Sequence, residues 1–143
     1  MNDDIELVKL ITSEGRVEMG YYSEVALVLR KSAKELLDKK LDEISEKAAQ
    51  ARELLSEANT KKYVEDGDDS AYLWHWNGVK WEEDYYDDVK FIMDFLDSLP
   101  ASDYKIIRNG EDYDDPIEEW GDFYDSPFML SVTRAISISE VPM

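Results

Sequence analysis

No cysteine occurs among the 143 residues, so neither a disulfide framework nor a thiolate metal site can form. Histidine is almost absent too: His75 is the single imidazole. It falls on the polar face of an expected hairpin beside Lys80 and reads as structural rather than catalytic. There is no run of about twenty apolar residues, so no membrane-spanning helix is expected. The opening "MNDDIELVKL" is acidic and lacks the apolar centre of a secretory signal. Together these gaps predict a cytoplasmic protein that neither crosses nor coats a membrane.

Catalytic signatures are equally sparse. There is no glycine-rich phosphate loop, nucleophile elbow or HExxH pattern. Two D-x-D stretches, "DGDD" (66–69) and "DYDD" (112–115), invite comparison with a calcium loop. An EF-hand begun at Asp66 would need glycine where Ala71 stands and glutamate where Asn77 stands. Begun at Asp112, it would put Pro116 at a ligand position and Ile117 at the glycine position. Neither fits, and no cofactor, metal or enzymatic activity is expected.

What the chain does have is negative charge, unevenly placed. The net charge is −18. Residues 1–62 hold 13 acids and 11 bases, whereas residues 63–143 hold 21 acids and 5 bases, so the second part alone carries −16. All four tryptophans and seven of the nine tyrosines lie there as well. Such asymmetry points to a basic partner and argues against direct contact with nucleic acid or an anionic membrane. At 43% apolar and 12% aromatic, the composition is that of a folded chain, read as a single domain over 1–143.

The expected fold class is α+β. Residues 5–22 predict two short strands around a turn at Ser13–Arg16, with Val17, Met19 and Tyr21 alternating on the second. "VALVL" (25–29) reads as a buried third strand or the first turn of a helix. Ser32 and Glu35 form a capping box ahead of a glycine- and proline-free stretch reaching Asn59. One helix of about 27 residues and roughly 40 Å is predicted there. Its apolar positions Leu37, Leu41, Ile44, Ala48, Ala51, Leu55 and Ala58 fall in a heptad seam. That seam can pack on the chain's own sheet or form a homodimer through residues 33–58, and the spacing favours neither.

The acidic part predicts a ββαββ unit with a mostly antiparallel sheet. Asn77-Gly78 between aromatic runs signals a hairpin that would place Trp74, Trp76, Val79 and Trp81 on one face. "YYDDVKFIMDFLDSLP" (85–100) has helical spacing at Val89, Ile92, Met93, Leu96 and Leu99, and Pro100 ends it. "YKIIR" (104–108) and "FMLSVTRAISI" (128–138) each read as one strand.

Three acidic-aromatic clusters recur, "EEDYYDD" (82–88), "GEDYDD" (110–115) and "GDFYD" (121–125). Duplex DNA carries one charge per about 1.7 Å of axis, and carboxylates gathered on one side of a small fold approach that density. The densest stretch nominates Asp112, Asp114, Asp115, Glu118, Glu119 and Asp122 as partner-binding acids, with Tyr113 and Trp120 as anchors.

The run "YLWHWNGVKW…IMDFLDSL…DYKIIRNGEDYDD…GDFYD…PF" resembles small acidic proteins of bacteriophages and prophages over residues 63–138. The resemblance implies an accessory role such as DNA mimicry or inhibition of host defence, acting in the host bacterial cytoplasm. It identifies no individual functional residue. The expected function is therefore a non-enzymatic inhibitor that occupies a basic surface of a host defence or nucleic-acid-handling protein. Two alternatives from other classes stand beside it. One is an oligomeric assembly protein organised by the long helix; the other is a nucleotide-sequestering protein with a pocket near Trp74, Trp76 or Trp81.

Overall fold

A computed structural model of the chain describes residues 22–110, 117–132 and 136–140. The two strands expected over 5–22 lie outside this range, apart from Tyr22. The elements run β1 (Ser23–Arg30), α1 (Lys31–Leu41), α2 (Glu46–Ser56), β2 (Thr60–Val64), β3 (Ala71–Val79), α3 (Asp87–Asp97), β4 (Tyr104–Asn109), β5 (Ile117–Gly121), β6 (Phe128–Val132) and β7 (Ile136–Glu140). A single 3-10 turn over Ala101–Asp103 leads into β4.

Five strands form one antiparallel sheet in the order β2-β3-β1-β4-β5. β1 belongs to the near-neutral part of the sequence yet lies at the centre, flanked by two strands of the acidic part. Its run Val25–Leu29 is at most 1% exposed because both faces are covered. Val25, Leu27 and Leu29 face α1, α2 and α3, joined by Trp74, Trp76 and Ile106 from the neighbouring strands. Ala26 and Val28 face the other way, with Leu73 and Ile107, against Phe123, Phe128 and Ile136. The result is three layers: helices, sheet, and a β6–β7 hairpin.

The long helix is two helices. α1 ends at Leu41, and Ser45 opens α2 in an extended conformation with its hydroxyl accepting from Ala48 N at 3.0 Å. The Arg52 guanidinium donates to the Leu41 carbonyl, satisfying one of the acceptors exposed by the break. The reason is dimensional. A helix of roughly 40 Å would overrun a nine-residue strand of about 30 Å, whereas two shorter helices fold back over it. Leu37, Leu41, Ala48, Ala51 and Leu55 are buried in the chain's own core, and Ile44, at the break, is fully exposed. The seam's spacing therefore records core packing in two pieces rather than one continuous stripe. The Ser32–Glu35 capping box does not form: α1 begins at Lys31 behind Arg30, without a side-chain cap.

Asn77-Gly78 is not a hairpin turn. β3 runs through it, and the register against β1 slips there, with Ser23 opposite Val79 and Val25 opposite Trp76. Asn77 and Gly78 of β3 thus face the single residue Glu24 of β1, a bulge that uses the same permissive dipeptide. A reversal at this point would have left the buried β1 without a partner on one side. The Asn77 amide donates to Asn59 Oδ1 at 2.7 Å, which ties the bulge to the end of α2. The closing segment differs as well: instead of one strand over 128–138, β6 and β7 pair with each other. A ββαββ order does occur, as β2-β3-α3-β4-β5: β4 and the first arm of the expected hairpin, within β3, are as expected, but β2 and β5 take the places of the second hairpin arm and of the 128–138 strand.

Two side chains lock the layers together. Arg30 donates to Asp103 at 3.0 Å, to Asp69 at 2.8 Å and to the Asp68 carbonyl at 2.6 Å, and lies 4.3 Å over the Phe123 ring. Burial lowers its pKa, but hydrogen bonds and charge from Asp69 and Asp103 outweigh this and raise it. The "DGDD" turn is accordingly organised around a guanidinium. Glu24 accepts from Ile136 N at 2.9 Å with one oxygen and pairs with His75 Nε2 at 2.7 Å with the other. The single histidine thereby helps to clip the hairpin onto the sheet.

Candidate binding cleft and acidic surface

The β4–β5 ladder decides where the nominated acids go. Arg108 is opposite Glu118, Ile107 opposite Glu119, and Ile106 opposite Trp120. Strand alternation puts Glu118 and Trp120 on the helix side with Ile106, and Glu119 on the hairpin side with Ile107. The two adjacent glutamates therefore point to opposite faces. Each is matched across the strands: Glu118 to Arg108 at 2.5 Å and Glu119 to Lys105 at 2.9 Å. Arg108 also donates to Ser23 Oγ at 3.1 Å.

Asp122 follows Gly121 at the end of β5 and is exposed. Burial, then the charge of Asp97, then that of Asp122 push the Tyr104 phenol above its ordinary pKa. Asp112, Tyr113, Asp114 and Asp115 lie outside the described residues. Of the eight nominated positions, the structure brings Glu118 and Trp120 together and sets Glu119 apart.

Those two residues line a cleft of about 210 Å³ between β4 and β5, the middle of α3 at Met93, and the connection that leaves β3. Trp81, Tyr85, Met93 and Trp120 supply its apolar surface. Glu82, Glu83 and Asp84 join Glu118 and Arg108 around it, giving a formal net charge of −3. The connection is shaped by Tyr85 N and Tyr86 N, which both donate to the Glu82 carbonyl at 3.1 and 3.0 Å. That turn holds three consecutive carboxylates beside the aromatic walls. None of the three forms an ion pair among the described residues.

Trp81 is 3% exposed and packs on Trp76 with ring centroids 5.2 Å apart. Trp76 Nε1 donates to the Leu54 carbonyl at 3.0 Å, whereas Trp81 Nε1 is buried with no partner among the described residues. An unmet buried donor is uncommon and marks a place where the packing is incomplete.

Sequence reading picked out "EEDYYDD" as an acidic-aromatic cluster but could not join it to Glu118 and Trp120. That pairing depends on β5 and the 82–86 turn both flanking α3, and no local pattern encodes it. On another side of α3, Lys40, Lys47 and Lys90 gather around Phe91 and Phe95 in a groove that also includes Asp87 and Asp94. No helix among the described residues is long and apolar enough to cross a membrane. Compared with family models, curated proteins and solved structures, the chain matches none.

Proposed function

We propose that this chain is a non-enzymatic binding protein of phage type, acting in a bacterial cytoplasm as an inhibitor. It occupies a basic site on a host defence or nucleic-acid-handling protein by presenting carboxylates where that protein expects phosphates. The observation that carries this reading is the β5 cleft, where three carboxylates without an ion pair among the described residues stand beside aromatic walls. Unpaired acids on a fixed turn attract and steer a basic surface, and aromatic side chains supply the contact area on which tight interfaces depend.

Two observations weigh against the alternatives. An assembly role organised by a long helix loses its premise, because the helix is broken and six of the seven seam residues are buried in the chain's own core. A nucleotide would meet a net negative cleft smaller than the roughly 300–1,000 Å³ of ordinary ligand pockets.

The test is capture from a bacterial lysate by the immobilised full chain at rising salt, followed by challenge with duplex DNA. The reading expects a nucleic-acid-binding protein that is released by salt, displaced by DNA, and lost on Glu83→Lys with Asp84→Lys. Capture indifferent to salt, DNA and charge reversal overturns it.

A further inference from the structure

We infer that the β5 cleft receives one cationic side chain, an arginine or lysine, projecting from the basic surface of that partner. This rests on the reading above and names the contact through which it works. The cleft has the size of a side-chain receptor rather than a cofactor pocket, at about 210 Å³ against roughly 300–1,000 Å³ for small-molecule sites. Its walls include Trp120 and Tyr85, both partly open to solvent, with Trp81 buried behind, and tryptophan is the best of the aromatic faces for a cation. Glu82, Glu83 and Asp84 supply charge that no cation of the described chain answers. Among the described residues that line the cleft the one cation is Arg108, already held by Glu118 at 2.5 Å, so a second can enter without an unscreened neighbour.

Carboxylates beside aromatic side chains suit an extended, partly apolar stem ending in charge, which is the construction of arginine and lysine. A compact, strongly hydrated inorganic cation would gain nothing from the aromatic walls.

The test uses the full-length protein and its own tryptophan emission, titrated with acetyl-Gly-Arg-Gly-amide and with the neutral citrulline counterpart. The lysine tripeptide is run in parallel. A saturable change with the cationic peptides, at least tenfold weaker with citrulline, is expected. Glu83→Gln combined with Asp84→Asn should weaken binding at least tenfold, and Glu119→Gln, on the opposite face, should leave it unchanged. An equal response to citrulline, or no saturable response, overturns the inference.

The inference and the wider functional reading fail differently. If the lysate partner is captured in a salt-dependent way but Glu83→Gln with Asp84→Asn does not matter, while reversal of Glu119 and Asp122 abolishes capture, the cleft is not the receptor and the acidic surface remains the interface. If the cationic tripeptides bind as expected and no basic partner is captured, the cleft stands and the inhibitor reading falls.

Discussion

The two edges of the five-stranded sheet carry opposite charge. β2 presents Lys61 and Lys62, and β5 presents Glu118 and Glu119, so each edge is guarded against pairing with another chain. At β2 both lysines reach back onto their own molecule, Lys61 to the Ser56 carbonyl at 3.0 Å and Lys62 to Glu140 at 3.7 Å. At β5 both glutamates are matched by cations of β4, but the adjoining turn adds Glu82, Glu83 and Asp84 with no ion pair among the described residues. Density of one sign therefore does not define a binding site. What distinguishes the β5 side is charge left over after the local cations have been used, next to an aromatic cavity.

The sharpest way to break the comparison is through the glycine beside each edge. Gly121 ends β5 with φ +85°, and a Cβ there would lie 2.2 Å from the Tyr104 carbonyl oxygen. Gly121→Ala must shift backbone against backbone. It should cost about 1–3 kcal/mol in strain and a similar amount, roughly 1–3 kcal/mol, in forced separation of β4 and β5. Gly67, in the turn after β2, has φ +57° with nothing within 4 Å of the added carbon. Gly67→Ala should cost only about 1–2 kcal/mol, the left-handed penalty alone. Urea midpoints of the two variants measure the difference. Equal losses would mean that the β5 end is no more tightly built than the β2 turn.

Next in size is Arg108→Ala. It strands Glu118 and removes the donor to Ser23 Oγ, on a residue 1% exposed. A loss of about 1–3 kcal/mol is expected, with Glu118→Gln milder because that side chain is 41% exposed. If both cost the same, the charge pair rather than the buried hydroxyl contact holds β4 to β5 at this point.

How far such details were legible from sequence varied with how local their causes are. The buried β1, the helix α3 and the strand β4 were readable because apolar runs and 3–4 spacing are local signals. The helix seam was readable as a stripe but not as two helices, since only the sheet's dimensions demand the break at Asp42–Ser45. Asn77-Gly78 signalled a hairpin on local chemistry, and the need of β1 for a second neighbour converted it into a bulge. Glu118 is nominated by charge density and Trp120 as an aromatic anchor. Their meeting with Glu82, Glu83 and Asp84 follows from chain topology, which no window of sequence contains.

A smaller effect appears at alkaline pH. Tyr104, opposite the end of β5, keeps its proton in the folded protein at pH values where the unfolded chain has lost it. The folded state then binds more protons, so stability falls as pH rises. The contribution is fully present below about pH 10, the ordinary phenol value, and is lost between there and the raised folded value. Tyr104→Phe should flatten that part of a stability–pH profile. An unchanged slope would assign the alkaline loss to groups elsewhere.

The smallest effect belongs to the β2 edge. Lys62 and Glu140 are each about half exposed, and their 3.7 Å contact joins the sheet to β7 across the surface. An ion pair of this kind is worth about 0–1 kcal/mol and is screened by salt. Lys62→Ala should therefore move the urea midpoint little, and any shift should vanish in about 1 M salt, where the Debye length falls to about 3 Å. The hairpin should stay in place, because Phe128 and Ile136 are buried beneath it and Glu24 holds the Ile136 amide. The same variant should not alter capture of a basic partner, since it leaves the β5 cleft untouched. A loss as large as that of Arg108→Ala would show that the lysine edge, like the glutamate edge, depends on its charge pairing.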